Sequence, residues 1–312
     1  MSEIRIDDIN RRHETDAAGE IALAEQLYHS RIRDIARQIN EHERVRIILL
    51  AGPSGSGKTT TANLLADALE AIGEESIVVS LDDFYRDSTD PDYPKTERGE
   101  RDFECPESLH LEQIRHTLMK IAEGEAFCLP KYDFKLGRRS ELTLHAPMPS
   151  GCVIVEGLHA LNPAIYEGLP ADSLLRLFVS VSTNVNNNEG ERLISGRKIR
   201  FVRRLVRDSI YRASDARRTL SMWQDVLAAE DVYLYPYKAD ADLAFDTFHP
   251  FELGVMKPYA ERLLTEELSA ESEYVGIVRS ALAAVCVIDE TLVPENSLIR
   301  EFIAGGVYHH IY

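Results

Sequence analysis

Long apolar runs are missing from this chain. No stretch approaches the roughly 18 residues that a membrane-spanning helix needs, and the charged N-terminus, MSEIRIDDINRRHETD, has no apolar signal-peptide core. Cysteine is scarce: Cys105, Cys128, Cys152 and Cys286 stand far apart, without the paired spacing of a zinc site or a disulfide framework. Free thiols in a reducing cytoplasmic setting are the expectation. Positive charge is short as well, with 35 Lys and Arg against 52 Asp and Glu, a formal net charge of −17. Phosphate backbones bind basic surfaces, so nucleic acid is excluded as a main partner. Any anion site must be a local concentration of Arg and Lys on an acidic body. What is present is an ordinary globular composition, 44% hydrophobic and 28% charged, in 312 residues, enough for a sizeable core.

Short aliphatic runs alternate with helical patterns. Strands are expected at 47–51, 77–81, 153–155 and 175–181, with a weaker one at 243–245; helices are expected near 58–71, 107–123, 197–212 and 216–229. This alternation predicts an α/β fold, a parallel sheet with helices on both faces. Residues 17–42 carry Ile21, Leu23, Leu27, Ile32, Ile35 and Ile39 at helical spacing, and predict a helix ahead of the main domain. From Val255 onward the pattern is mostly helical, broken at Pro294. The implied division is an N-terminal helical extension at 1–43, a main domain at 44–265 and a C-terminal helical extension at 266–312. Two long polar segments, 84–106 and 130–151, interrupt the alternation, and loops of that length are usually functional or disordered.

Residues 52–59, GPSGSGKT, fit G-x-x-x-x-G-K-S/T in full, between a strand and a helix. In such a loop the glycines let backbone N–H groups close around phosphates, while the positive helix N-terminus points at them. Gly52, Pro53, Ser54, Gly55, Ser56, Gly57, Lys58, Thr59 and Thr60 are therefore the candidate nucleotide site. Lys58 would reach the β and γ oxygens, and the Thr59 hydroxyl would bind Mg²⁺. The second strand ends in SLDDFY, which sets Asp82 or Asp83 at the carboxyl end of the sheet, where ligands of α/β folds bind. A carboxylate there accepts a proton from an attacking hydroxyl or helps to hold Mg²⁺; a strand-end Asp capping a turn is the structural alternative. Glu156 ends the third strand in the same way and is the second candidate for Mg²⁺. Residues 197–218 hold nine basic side chains against two acids. Arg200, Arg203, Arg204 and Arg207 share one helical face, a grouping suited to the oxygens of a transferring phosphoryl group.

The ordered set GPSGSGKTT, SLDDFY, DFECPESL, LPKYDF, VIVEGLHALNP and RRLVRD resembles the uridine kinase and phosphoribulokinase family of P-loop kinases, over about residues 45 to 260. The later NSLIREFIAGG resembles a bacterial uridine kinase-like branch. The resemblance implies a P-loop NTPase-type fold using ATP and Mg²⁺. It makes Asp82 the general base, with Lys58 and the lid arginine Arg212 on the ATP phosphates. It sets Tyr85 near the nucleobase, Glu104 on the ribose hydroxyls, Tyr132 and Phe134 around the pyrimidine, and Arg207 on the sugar. Two positions depart from the family pattern. Gly137 stands where pyrimidine kinases carry a base-reading histidine, and Arg212-Ala213-Ser214 replaces a lid R-G-R, which suggests Arg217 or Arg218 as a substitute lid charge.

The favoured expectation is transfer of a γ-phosphoryl group to a primary hydroxyl of a small molecule, foremost the 5′-OH of a nucleoside. A polyol, sugar phosphate or glycerate is the alternative acceptor, although Glu104 would repel a phosphorylated one. A regulatory switch that hydrolyses nucleotide slowly is the alternative of another class. No membrane partner is expected, and a homo-oligomer is left open.

Overall fold

The computed structural model describes residues 3–42, 44–96, 98–134, 136–140 and 144–308. The aliphatic runs form β1 (Ile47–Ala51), β2 (Ser76–Ser80), β3 (Cys152–Gly157), β4 (Leu174–Ser180) and β5 (Leu243–Asp246). They make one sheet in the order β5-β4-β1-β3-β2, with every neighbouring pair parallel. β1, IILLA, is buried along its whole length because helices cover both faces of the sheet. Its residues alternate between two cores: Ile48 and Leu50 join one with Ile154 and Leu177, while Ile47 and Leu49 join the other with Val153 and Val155. The weakly patterned run at 243–245 is the edge strand, half open to solvent.

The covering helices are α1 (Ile6–Asn40), α2 (Lys58–Glu70), α3 (Leu111–Glu123), α4 (Gly196–Tyr211), α5 (Ala216–Tyr233), α6 (Glu252–Leu263) and α7 (Glu273–Ala283). The N-terminal helix is longer than its periodicity indicates. It is kinked at Asp16 (φ −157°, ψ 80°), whose carboxylate accepts the Gly19 N–H at 2.9 Å and so caps the restarted helix. The expected start at residue 17 is therefore the second start, and the arm before it was missed because it carries few apolar residues. Glu3–Arg5, just before α1, pairs in parallel with Asn184–Asn186, which also pairs with Arg192–Ile194. The expected helix from 107 begins at Leu111, because residues Pro106–Ser108 form a 3-10 turn.

The chain leaves β1 through α2, reaches the far edge at β2 and returns to β3 between them. This reversal opens a crevice at the carboxyl ends of β1, β2 and β3, the usual ligand position in such sheets. The first of the two long polar segments carries an isolated antiparallel bridge, Lys95 with Arg101, and the second forms small hairpins. Phe127–Leu129 pairs with Leu144–Ala146 and Tyr132–Asp133 with Arg138–Arg139, while residues 97, 135 and 141–143 of these segments lie outside the described residues. Among the described residues, no helix is long and apolar enough to cross a membrane.

Candidate active site

The loop at 52–59 turns on Gly55 (φ +72°) and Gly57 (φ +82°), both in the left-handed region that glycine enters without a Cβ penalty. A Cβ at Gly55 would meet the Arg200 carbonyl at 2.8 Å, and one at Gly57 would meet Leu298 Cδ1 at 2.5 Å. The loop carbonyls are tied from outside. Arg200 Nη1 donates to Ser54 O at 2.8 Å, Arg203 Nη1 to Gly55 O at 3.2 Å and Thr247 Oγ1 to Ser56 O at 2.7 Å. Behind them stand two buried carboxylates: Glu230 holds Arg200 at 2.8 Å through both oxygens and also accepts the Ser54 N–H, and Glu252 holds Arg203 at 2.5 and 2.9 Å.

This corrects part of the expectation from charge. Arg200 and Arg203 do share a face with Arg204 and Arg207, but they are buried braces of the loop backbone, with no freedom to follow a transferring group. Of the two candidate substitute lid charges, Arg217 is exposed and pairs with Glu271.

Arg204 Nη1 donates to the Ser54 hydroxyl at 2.9 Å. Arg204, Arg207 and Arg212 converge on Asp208, at 3.3, 2.8 and 3.6 Å. Burial alone would raise the Asp208 carboxyl, but these cations outweigh it and hold it below the usual range. Asp208, which the sequence reading did not single out, holds these three arginines together; its signal was an acid inside an otherwise basic helix.

Asp82 follows β2 in the 3-10 turn Leu81–Phe84, with its N–H directed to the Ser80 hydroxyl at 3.3 Å. Solvent reaches its carboxylate through the open crevice, while protein surrounds it on the remaining sides. That enclosure raises its pKa, partly offset by Lys58, Arg212 and Arg207, so these three cations and Asp82 share one field. Lys58 Nζ rests on Pro53 O at 3.3 Å. Glu156, at the end of β3, accepts from Ser80 Oγ at 2.7 Å. Burial and then the Asp82 charge push it up to about 7 against the pull of Lys58.

Asp83 has a different set of neighbours. It takes Lys131 Nζ at 3.1 Å and the Tyr132 N–H at 3.2 Å, and so ties down the hairpin that follows Pro130. Asp87 and Ser88 add two more ties, from Arg139 N at 2.7 Å and to Gly137 O at 2.8 Å. Thus anchored, Tyr132 lies 5.0 Å from Phe134 and 5.7 Å from Tyr85, centroid to centroid. Tyr85 donates to Phe103 O at 3.1 Å and lies near Asp82 and Glu104, whose charges add to burial in raising its hydroxyl. Glu104 is raised chiefly by burial, with Arg204 opposing and Asp82 reinforcing. His159, from EGLHAL, was also missed; burial pushes it down to about 4, so a neutral imidazole lines the same region.

The crevice thus combines a braced phosphate loop, two acids, an arginine group on Asp208 and an aromatic wall. The sequence profile described as "Phosphoribulokinase / Uridine kinase family" matches residues 47–251. The chain belongs to this family. Among its relatives, the uridine kinase of Lactobacillus johnsonii is 27% identical over 204 residues, covering 65% of this chain and 87% of that protein. The chloroplastic uridine/cytidine kinase UKL1 of Arabidopsis thaliana is 26% identical over 198 residues. This chain spans only 36–39% of the length of that and two further Arabidopsis relatives. A solved structure described as a possible uridine kinase from Bacillus stearothermophilus aligns with a TM-score of 0.45 at 20% identity, covering 70% of this chain and 98% of that one.

Proposed function

We propose that this chain is an ATP-dependent kinase that phosphorylates a primary hydroxyl of a small molecule, foremost the 5′-OH of a nucleoside. The observation that carries this reading is Asp82. It stands in the same field as Lys58, beside Tyr85 and Glu104, with its affinity for a proton raised. A hydroxyl placed between the phosphate loop and the aromatic wall has a base on one side and a phosphoryl group on the other. Asp82 takes the hydroxyl proton as the oxygen attacks, and a raised pKa makes it a better acceptor at neutral pH. Lys58 and Arg212 stabilise charge on the transferring oxygens. Glu104 binds vicinal hydroxyls, Arg207 holds the sugar, and Tyr85, Tyr132 and Phe134 pack around the planar part.

The residues present also fit Mg²⁺. The Glu156 carboxyl is buried and is raised further by the charge of Asp82, with Lys58 at the start of α2 opposing, a condition that a divalent cation relieves. Thr59 and Glu156 would hold the ion, which when bound neutralises phosphate charge. A second reading, a non-nucleoside polyol as acceptor, is favoured by Gly137. It occupies a tight turn at φ +63°, where a Cβ would come within 2.6 Å of Ser88 Oγ, so a base-reading imidazole has no place there.

ADP release across uridine, cytidine, 2′-deoxyuridine, adenosine and a simple polyol tests both readings. Ribonucleosides are expected to react with little preference among bases, and the deoxynucleoside poorly. Activity on the polyol alone would overturn the nucleoside reading. Lys58→Ala is expected to abolish transfer while the circular dichroism spectrum stays that of the parent, because its side chain meets the phosphates and not the core.

A further inference from the structure

The segment beyond α7 reaches back to the phosphate loop. Glu301, in the short helix Arg300–Ile303, accepts the Thr60 N–H at 3.1 Å and the Thr60 hydroxyl at 2.7 Å, across 241 residues of sequence. Thr60 is in the first turn of α2, where N–H groups have no intrahelical partner and attract anions. These are donors that a P-loop offers to a nucleotide phosphate. One residue cannot give the same N–H and hydroxyl to a carboxylate and to a phosphate at once.

The position of Glu301 is fixed by its surroundings. Leu298 and Phe302, on either side, are fully buried, and Leu298 packs against Gly57 itself. Arg300 clamps the turn by donating to Val293 O at 2.6 Å, Glu290 O at 2.9 Å and Ala304 O at 3.2 Å. The backbone therefore stays, and only the half-exposed Glu301 side chain is free to swing out. Its charge is also felt by Glu156 and Tyr211, so the carboxylate faces the phosphate region.

We infer that Glu301 is a stand-in for a donor phosphate: it occupies the Thr60 seat, and a nucleotide must displace it to bind. This rests on the reading of the loop as a nucleotide site. Glu301 then sets donor affinity through this one seat. A ligand whose phosphates reach Thr60 must displace Glu301 and loses affinity accordingly, whereas a small phosphate held in the other seats of the loop does not bear that cost. If the seat is filled about nine-tenths of the time, donor affinity is lowered about tenfold, since only the open fraction binds.

Calorimetric titration of the full chain with ATP and with inorganic pyrophosphate decides this, using wild type, Glu301→Asp and Glu301→Ala. Aspartate keeps the charge but is one methylene shorter, so it separates reach from charge. Both variants are expected to bind ATP about tenfold more tightly, with a smaller gain for pyrophosphate. A gain in Glu301→Ala alone, or equal gains for the two ligands, would reduce Glu301 to general charge repulsion and overturn the stand-in. Unchanged or weaker ATP binding in both variants would overturn it as well. If no form of the protein binds ATP, the nucleotide reading fails together with it.

Discussion

Neighbouring residues in SLDDFY carry different loads. Asp82 faces Lys58, Arg207 and Arg212 across the crevice, whereas Asp83 turns to Lys131 and the Tyr132 N–H. Asp82→Asn is therefore expected to lower kcat by roughly 10²–10⁴-fold, the usual contribution of a positioned base, with ATP affinity little changed. Asp83→Asn loosens the hairpin that carries Tyr132 and Phe134, so it should raise KM for the acceptor more than it lowers kcat. Steady-state kinetics with each substrate varied checks the split; the reverse pattern would exchange the two assignments. Strand alternation was the ground for expecting the two aspartates to point apart, but both lie in the 3-10 turn Leu81–Phe84, so it is the turn that separates them. What Asp83 binds was not legible, since Lys131 lies 48 residues away. The two departures from the family pattern both fall at left-handed backbone positions, which the sequence does not show. Gly137 sits at φ +63° against Ser88, and Ala213 sits at φ +47°. The second is a left-handed position where the family's glycine fits without strain and alanine does not.

At the scale of elements, the sheet and its phosphate loop were the most legible part. Fully apolar runs of five residues between turn signals belong to buried parallel strands, and β1 has the bounds its sequence predicts. The arginine helix α4 was legible in its face and not in its purpose. Periodicity places Arg200 and Arg203 together, but their partners Glu230 and Glu252 come from α5 and α6, 30 and 49 residues on. Charge density alone made both look like ligand contacts. The structure makes them struts under the loop. Removing one end of such a buried pair leaves an uncompensated charge, so Arg203→Met is expected to destabilise the protein by about 3–5 kcal/mol. Adding Glu252→Gln to that variant should restore a large part of the loss, because the orphaned charge goes too. Denaturant unfolding of the single and double variants measures this. A double variant no more stable than the single would show that the arginine acts through its bonds to Gly55 O and Thr247, and not through ion pairing.

Across the whole molecule, the N- and C-terminal stretches share one core with the sheet. Ile21 and Ile32 of α1, Ile154 of β3, Val275 of α7 and Phe302 near the C-terminus belong to the same apolar cluster. At the seam between these parts lies Glu25 of α1, only 5% exposed. His29 Nε2 of the same helix stands 3.7 Å from its carboxylate, and His249 Nε2, from the turn before α6, 3.9 Å. Burial lowers both histidines, His249 to about 3, so neither supplies a compensating charge at neutral pH. Burial likewise pushes Glu25 from its ordinary 4.5 to about 7, against a smaller opposing effect of Ser297 in the C-terminal segment. The folded state therefore holds this proton where the unfolded chain releases it. Stability from Glu25 is complete below about pH 4.5, falls as pH rises towards 7, and is flat above that. The accumulated loss is on the order of 3 kcal/mol for a carboxyl raised from 4.5 to about 7. Glu25→Gln keeps the shape and cannot ionise. Its stability relative to the wild type should therefore rise by about that amount between pH 4.5 and pH 8, which removes the slopes of all other groups from the comparison. Denaturant unfolding of both proteins at the two pH values gives the difference directly. A constant difference would mean that Glu25 is already ionised in the folded protein at pH 4.5, and that water or a rearranged histidine reaches the seam.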